Sequence, residues 1–148
     1  MQNTRLAGSG RISYGRLPLV ALIAALSAAV ANALIYYAVS GIGLIPQGFS
    51  VPTPYGQAPL TMVQVVVSSA VGIIGATMVF AVIGWFARSP VRPFRIIATA
   101  VLALSFAGPA TIPGAPVTMV LALGVMHVVV WAASVVLLTT LARRETGA

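Results

Sequence analysis

The fold is decided by residues 60–95, which read LTMVQVVVSSAVGIIGATMVFAVIGWFARSPVRPFR. The first part of this stretch, Leu60 to Phe86, contains no charged residue, whereas Ala87 to Arg95 contains three arginines and two prolines. An α-helix rises about 1.5 Å per residue, so about 20 apolar residues cross the hydrocarbon core of a bilayer. The stretch therefore predicts a membrane-spanning helix that ends in a short basic turn.

The composition of the whole chain agrees with a membrane location. Of its 148 residues, 59% are hydrophobic and 6% are charged, and the mean hydropathy is +1.05. Soluble domains are about 25% charged, and a soluble fold of this composition would expose large apolar patches that aggregate. Arginine without lysine, together with abundant alanine, valine and glycine, is typical of GC-rich bacterial genomes. We therefore expect one domain in the plasma (inner) membrane of a bacterium.

Apolar runs and their breaks divide the chain into four predicted spans, at about 17–39, 60–86, 94–109 and 116–141. Between the first two spans, residues 46–59 carry no charge and four prolines, which cannot continue a helix. We predict a loop there and no strands. In the third span, Gly108-Pro109 either ends the helix or kinks it. The predicted fold class is an all-α, polytopic bundle of four transmembrane helices built from two hairpins.

The arginines predict the orientation of the bundle. Seven of the eight fall between or outside the spans, at Arg5, Arg11, Arg16, Arg88, Arg92, Arg143 and Arg144, and Arg95 is the second residue of the third span; the only acid is Glu145. Basic residues that flank spans stay preferentially in the cytoplasm. We therefore predict cytoplasmic termini, with residues 1–16 and 143–148 as tails and 1–16 mobile. An alternative interpretation of the first span is a signal peptide cleaved at Ala31-Asn32-Ala33, although the apolar run continues beyond that site.

The expected partners of the basic turn are anionic lipid headgroups. Arg88, Arg92 and Arg95 are the candidate residues, and each contributes about 1 kcal/mol near an anionic surface. Nucleic acid is not an expected partner, because the arginines flank spans and are not interleaved with aromatic residues.

Two segments that open predicted spans match at five of six positions. They read APLTMV at 58–63 and APVTMV at 115–120. One explanation is that both segments start helices at the outer face, where the same residue types are favoured because proline is tolerated at the first helical position. The other is that a helical hairpin has been duplicated.

The residue inventory argues against catalysis. The chain has no cysteine, one histidine and no acidic residue at membrane depth. A Ser-His-Asp triad and a carboxylate-bridged metal site therefore cannot be assembled within one chain. We expect no enzyme activity.

Polar residues within the spans form a predicted layer. Counted from the span ends, Ser27, Ser68, Ser69, Ser105 and His127 fall near mid-depth, and Asn32 and Gln64 fall nearer the outer face. Such residues either hydrogen-bond between helices, at about 0.6 kcal/mol on average, or line a site for a small lipophilic ligand. For Asn32 we favour the structural interpretation.

His127 is the titratable group at membrane depth, and helical spacing places Trp131 on the same face. We expect its imidazole to be neutral and to donate to Ser105 or Asn32. The alternative is a functional histidine, either a proton relay or an axial ligand of a haem or chlorophyll-type ring.

Small residues recur every four positions at Ala24, Ala28 and Asn32, and again at Ser68, Gly72 and Ala76. Such stripes let helix backbones approach closely in lipid. They indicate internal packing of the bundle or, alternatively, a surface for a homo-oligomer or a membrane-protein partner.

Four short motifs resemble a family of small, uncharacterised four-pass bacterial membrane proteins. These are the Ala31-Asn32 pair, the turn at 88–95, Ser105 with Gly108-Pro109, and Met126-His127. The resemblance implies no activity and no catalytic residue. We expect an accessory or structural membrane protein that acts through helix–helix contacts, with a binder or conduit for a small lipophilic ligand as the alternative.

Overall fold

A computed structural model describes residues 12–142 of the chain. Within that range four helical segments are long and apolar enough to cross a membrane, namely Leu17–Gly41, Met62–Phe86, Val91–Ala110 and Val117–Leu141. The prediction of an all-α, multi-pass membrane protein is confirmed.

The helices are α1 (Leu17–Gly41), α2 (Met62–Phe86), α3 (Val91–Ser105), α4 (Ala107–Ala110), α5 (Val117–Ala133) and α6 (Thr139–Leu141). A π-helical segment, Ser134–Leu138, joins α5 to α6 and makes the last span continuous. Two short strands, β1 (Ser50–Thr53) and β2 (Gly56–Pro59), lie between α1 and α2.

The third span begins earlier than its sequence predicts. Helix α3 starts at Val91, with Pro90 at the N-cap and Pro93 in the first turn. Proline is tolerated there because its missing N–H would have no partner within the helix. Arg92 and Arg95 therefore belong to the start of a helix, and the turn between α2 and α3 is shorter than expected.

The end of the third span is kinked. The helical path is interrupted at Phe106 and continues through Gly108 and Pro109 to Ala110 as α4. Pro109 has no N–H to donate to the carbonyl of Ser105 four residues earlier, which accounts for the break. Of the two sequence interpretations of Gly108-Pro109, the kink is the one that the structure contains.

The prediction that residues 46–59 contain no strand is wrong. β1 and β2 form an antiparallel hairpin in which Ser50 pairs with Pro59 and Thr53 with Gly56. Proline fits a two-stranded sheet because both strands are edge strands. At positions where the backbone N–H would point away from the partner strand, the missing N–H of proline costs no hydrogen bond. The Thr53 hydroxyl closes the turn by donating to the Gly56 carbonyl at 2.7 Å.

The hairpin and the segment before it cover one end of the bundle. Ile45 and Val51 are buried in a cluster that also contains Met119 of α5. The Thr118 hydroxyl donates to the Leu44 carbonyl at 3.2 Å, and the Tyr36 hydroxyl donates to the Leu60 carbonyl at 3.0 Å. We call this end, capped by residues 42–60, the hairpin end.

The opposite end carries every arginine in the described part of the chain, and we call it the arginine end. Arg16 precedes α1, Arg88 follows α2, and Arg92 and Arg95 lie at the start of α3. The successive spans run in opposite directions, so these positions meet at one end. Arg5, Arg11, Arg143, Arg144 and Glu145 lie outside the described residues.

Residues 12–16 pack onto the arginine end, so the prediction of a mobile tail is wrong for this part of it. Ile12 is 5% exposed and is clustered with Phe80, Phe94 and Leu138. The Ser13 N–H donates to the Ala142 carbonyl at 2.8 Å. The rest of the predicted tails, residues 1–11 and 143–148, lies outside the described range.

The core is densest where α1 meets α2 and α5. Ala24 and Ala28 of α1 are fully buried and cluster with Ile73 of α2. The first small-residue stripe therefore serves internal packing, as one of its two interpretations predicted. In α3, by contrast, Phe94 is the residue that is buried, and its ring centroid lies 4.8 Å from that of Phe80.

The two matching segments at 58–63 and 115–120 fold differently. Pro59 lies in β2 and Thr61 is the N-cap of α2, whereas Pro116 is itself the N-cap of α5. Neither proline occupies the first helical position that the sequence predicts, and the two helices start at non-equivalent residues.

Candidate functional site

The best-connected polar residue of the interior is Asn32 of α1, which is 2% exposed. Its Nδ2 donates to the Ser69 hydroxyl of α2 at 2.9 Å and to the Met126 carbonyl of α5 at 3.1 Å. The Ser69 hydroxyl in turn donates to the Val65 carbonyl at 2.8 Å. One amide group therefore links three helices, which agrees with the structural interpretation of Asn32.

The carbonyl oxygen of the Asn32 side chain receives no hydrogen bond from any described residue. Asn32 Oδ1 is buried and has no hydrogen-bond partner there. Both amide hydrogens are already used on acceptors, so rotating the amide would break two bonds to make one. Asn32 thus keeps a buried acceptor without a donor.

His127 of α5 is half-buried, and its Nδ1 lies 2.7 Å from the Leu123 carbonyl of the same helix. A carbonyl oxygen only accepts hydrogen bonds, so Nδ1 carries the hydrogen. In a neutral imidazole the other nitrogen, Nε2, then presents a lone pair. The prediction that the ring donates to Ser105 or Asn32 is wrong, because it donates to its own helix.

Two contacts locate His127 between α2 and the α3–α4 junction. Nearly one turn earlier, a Cβ added at Gly124 would lie 3.0 Å from the Phe106 ring. Nearly one turn later, Val130 lies against Gly72 of α2, where an added Cβ would lie 2.9 Å from Val130 Cγ1. His127 stands between these contacts on the surface of α5.

Trp131 lies one turn beyond His127 and packs against the cluster that contains Phe80 and Phe94. Its Nε1 is buried and has no hydrogen-bond partner among the described residues. The shared helical face that the spacing predicts therefore carries an unpaired donor on Trp131 and a free lone pair on His127.

The other predicted members of the polar layer are dispersed. Ser27 and Ser68 are exposed on the outside of the bundle. The Ser105 hydroxyl donates to the Leu102 carbonyl of its own helix at 2.7 Å. Gln64 forms a capping box, in which its Oε1 accepts from the Thr61 N–H at 2.9 Å. The predicted common layer does not form.

Sequence reasoning missed Ser69 as the partner of Asn32, although a signal was present. Asn32 continues the stripe of Ala24 and Ala28, and residues on such a stripe share one helix face. Ser27 lies one residue off that stripe, which rotates it by about 100°. The stripe therefore indicates that Asn32 points inward and Ser27 outward.

The arginine end carries the predicted headgroup residues. Arg88, Arg92 and Arg95 are exposed, and Arg95 Nη2 donates to the Thr139 hydroxyl at 3.4 Å. Trp85 and Phe86, which precede Arg88 at the end of α2, are 74% and 85% exposed. Exposed aromatic residues beside arginines are typical of a membrane interface.

No group of three His, Cys, Asp or Glu side chains within residues 12–142 is placed to hold a metal ion. His127 Nε2 is the nitrogen that an axial ligation of a haem or chlorophyll-type ring would use, and such a ligation stays a prediction.

One protein family matches residues 13–146 of the chain, and it is described as a family of unknown function (DUF6069). No curated protein matches the chain, and no solved structure does.

Proposed function

The chain belongs to a family of unknown function, and we propose that it is a non-catalytic accessory protein that acts through helix–helix contacts. The observation that carries this proposal is the outer face of α2. Ser68 is exposed there and makes no hydrogen bond to another described residue. In lipid, a polar side chain on an outer face gains by bonding to a neighbouring helix.

The same face has room for a second helix. Gly75 lies seven residues after Ser68, hence on the same side of α2. A Cβ added at Gly75 would meet nothing within 4 Å, so a larger side chain fits the bundle itself. A glycine on an exposed face allows the backbone of a partner helix to approach closely.

Replacing Gly75 by leucine tests this contact. We expect the wild-type protein, released in mild detergent, to have a native mass above the 15.1 kDa of one chain, and Gly75→Leu to reduce it to that of one chain. Native mass spectrometry measures the mass, and its increment tells a second copy from a different protein. The matched control is Ala100→Leu on the exposed face of α3.

Two results would contradict the proposal. One is a wild-type protein that is monomeric and free of partners, and the other is a complex that survives Gly75→Leu unchanged.

We also propose an orientation, with the arginine end in the cytoplasm of a bacterium and the hairpin end outside the plasma membrane. It is supported by the arginines at one end and by the uncharged residues 42–61 and 106–116 at the other. At the arginine end, Arg88, Arg92 and Arg95 would contact anionic headgroups.

The chain has no cysteine, so a single introduced thiol reports the orientation cleanly. On intact cells we expect a membrane-impermeant maleimide to label Tyr55→Cys, at the fully exposed hairpin turn, and not Arg92→Cys. Labelling at position 92 alone would reverse the orientation.

A second candidate function is binding of a small lipophilic ligand. It is supported by the lone pair on His127 Nε2, which stays free because Nδ1 donates to its own helix, and by the half-burial of the ring. A conduit has less support, because Ser27 and Ser68 face outward and leave no continuous polar path.

A further inference from the structure

Three exposed arginines lie close together at the arginine end, and we call Arg88, Arg92 and Arg95 the arginine patch. Arg88 and Arg92 are four residues apart, so their Cα atoms are separated by at most about 14 Å even if the chain between them is extended. Arg92 and Arg95 both belong to α3, and residues three apart on a helix are neighbours, with Cβ atoms about 5–6 Å apart. The three long side chains are therefore within reach of one lipid headgroup.

The protein does not balance the positive charge of the arginine patch. Residues 12–142 contain no aspartate or glutamate, and the single acid of the chain, Glu145, neutralises at most one guanidinium. Arginine stays protonated in proteins, so its charge persists. At least two of the three positive charges are therefore left for an anion outside the chain.

One member of the patch is anchored to the last span. Arg95 Nη2 donates to the Thr139 hydroxyl at 3.4 Å. Thr139 is 1% exposed, and its hydroxyl donates in turn to the Val135 carbonyl at 2.6 Å. A guanidinium has five N–H donors, so this bond leaves most of them for a ligand. The patch thus has two halves, with Arg88 at the end of α2 and Arg92 with the anchored Arg95 at the start of α3.

Exposed apolar side chains beside the patch favour a lipid over a free phosphate ion. Trp85 and Phe86, which shortly precede Arg88, are 74% and 85% exposed, and Ile96, which follows Arg95, is 62% exposed. Aromatic residues of membrane proteins concentrate at the level of the headgroups. A lipid bound to the patch would cover these side chains with its acyl chains, whereas a free phosphate ion would leave them uncovered.

We propose that the arginine patch binds a membrane lipid that carries two phosphate groups, one at Arg88 and the other between Arg92 and Arg95. A phosphodiester carries one negative charge, so two of them match the two positive charges that the chain leaves unbalanced. Arginine pairs strongly with phosphate oxygens. Two phosphates joined in one molecule bind better than two separate lipids, because the second contact forms within the same complex. This inference rests on the proposed contact of the arginine end with anionic headgroups and specifies the class of lipid.

Native mass spectrometry of the full chain tests the proposal, because each bound lipid adds its own mass. The protein in mild detergent is incubated with tetraoleoyl cardiolipin, which has two phosphodiesters, and with dioleoylphosphatidylglycerol, which has one, at equal total phosphate. Dioleoylphosphatidylcholine, which has no net charge, reports nonspecific binding. We expect the protein to carry cardiolipin about threefold more often than phosphatidylglycerol, or more.

Variants that remove one charge locate the site. Arg88→Gln and Arg92→Gln each weaken one half of the patch, and we expect each to remove the preference for cardiolipin. Both side chains are exposed, so the fold should not depend on them. The matched control is Arg16→Gln, which removes the same charge at the same end but from the residue that precedes α1, and it should leave the preference intact.

Three other outcomes would overturn the proposal. Equal binding of both anionic lipids to the wild-type protein contradicts the two-phosphate assignment and leaves a general contact with anionic headgroups. Anionic lipids that bind no better than phosphatidylcholine contradict that contact as well, while the accessory role is tested separately by the native mass of Gly75→Leu. A cardiolipin preference that persists in Arg88→Gln and Arg92→Gln, or that Arg16→Gln also removes, contradicts the assignment to the arginine patch.

Discussion

Met126 and His127 are neighbours in α5, yet their surroundings differ. On the α1 side, the Met126 carbonyl accepts from Asn32, which also bonds Ser69, so three helices are joined. On the α3 side, His127 bonds only within α5, and Trp131 one turn away leaves its Nε1 unpaired. The same helix is therefore bonded to its neighbours on one side and unbonded on the other.

The difference between the two sides of α5 follows from how closely the neighbouring helix backbones approach. Ala24 and Ala28 are fully buried, so α1 lies close enough for a short amide to reach both α2 and α5. Helix α3 buries Phe94 alone and is interrupted at Phe106, and the third span buries a smaller share of its residues than the other three. A polar residue beside a small-residue stripe is thus bonded within the bundle, and one beside a loosely packed helix stays available.

Removing the Asn32 amide should have the larger effect on stability. Asn32→Ala deletes two interhelical hydrogen bonds at about 0.6 kcal/mol each, so we expect the free energy of unfolding to fall by about 1 kcal/mol. The loss is limited because Ser69 still donates to Val65 and because the unpaired Oδ1 is removed. Unfolding of the detergent-solubilised protein in sodium dodecyl sulfate, followed by tryptophan fluorescence, measures it.

The matched control on the other side is His127→Phe, for which we expect the smaller change, close to zero. Its hydrogen bond lies within one helix, and phenylalanine fills a similar volume. Equal losses for Asn32→Ala and His127→Phe would remove the distinction between the two sides of α5.

Most of the fold could be predicted because apolar runs that are long enough to cross a membrane, and the arginines that flank them, are plain in the sequence. The starts and ends of elements depended on local chemistry instead. Pro93 fits the first turn of α3, and the prolines of residues 50–59 fit a hairpin whose strands are both edges. A proline count alone cannot distinguish these positions from a loop.

The candidate site was harder to predict, because the depth of a residue in the membrane does not determine whether its side chain points into the bundle or out of it. Ser27 and Asn32 both lie in the first span, but only Asn32 points inward. For His127 the deciding fact is a bond to its own helix, and no sequence pattern distinguishes a carbonyl four residues earlier from a partner across the bundle. The sequence alone therefore does not distinguish Leu123 from Ser105 as the acceptor.

The tautomer of the imidazole shows whether His127 Nε2 keeps a free lone pair. The chain contains one histidine, so ¹⁵N NMR of histidine-labelled protein in a bilayer gives one pair of ring signals without assignment. We expect Nδ1 to appear as a protonated nitrogen and Nε2 as an unprotonated one. A hydrogen on Nε2 and none on Nδ1 would contradict the bond to Leu123 and remove the lone pair that supports the second candidate function.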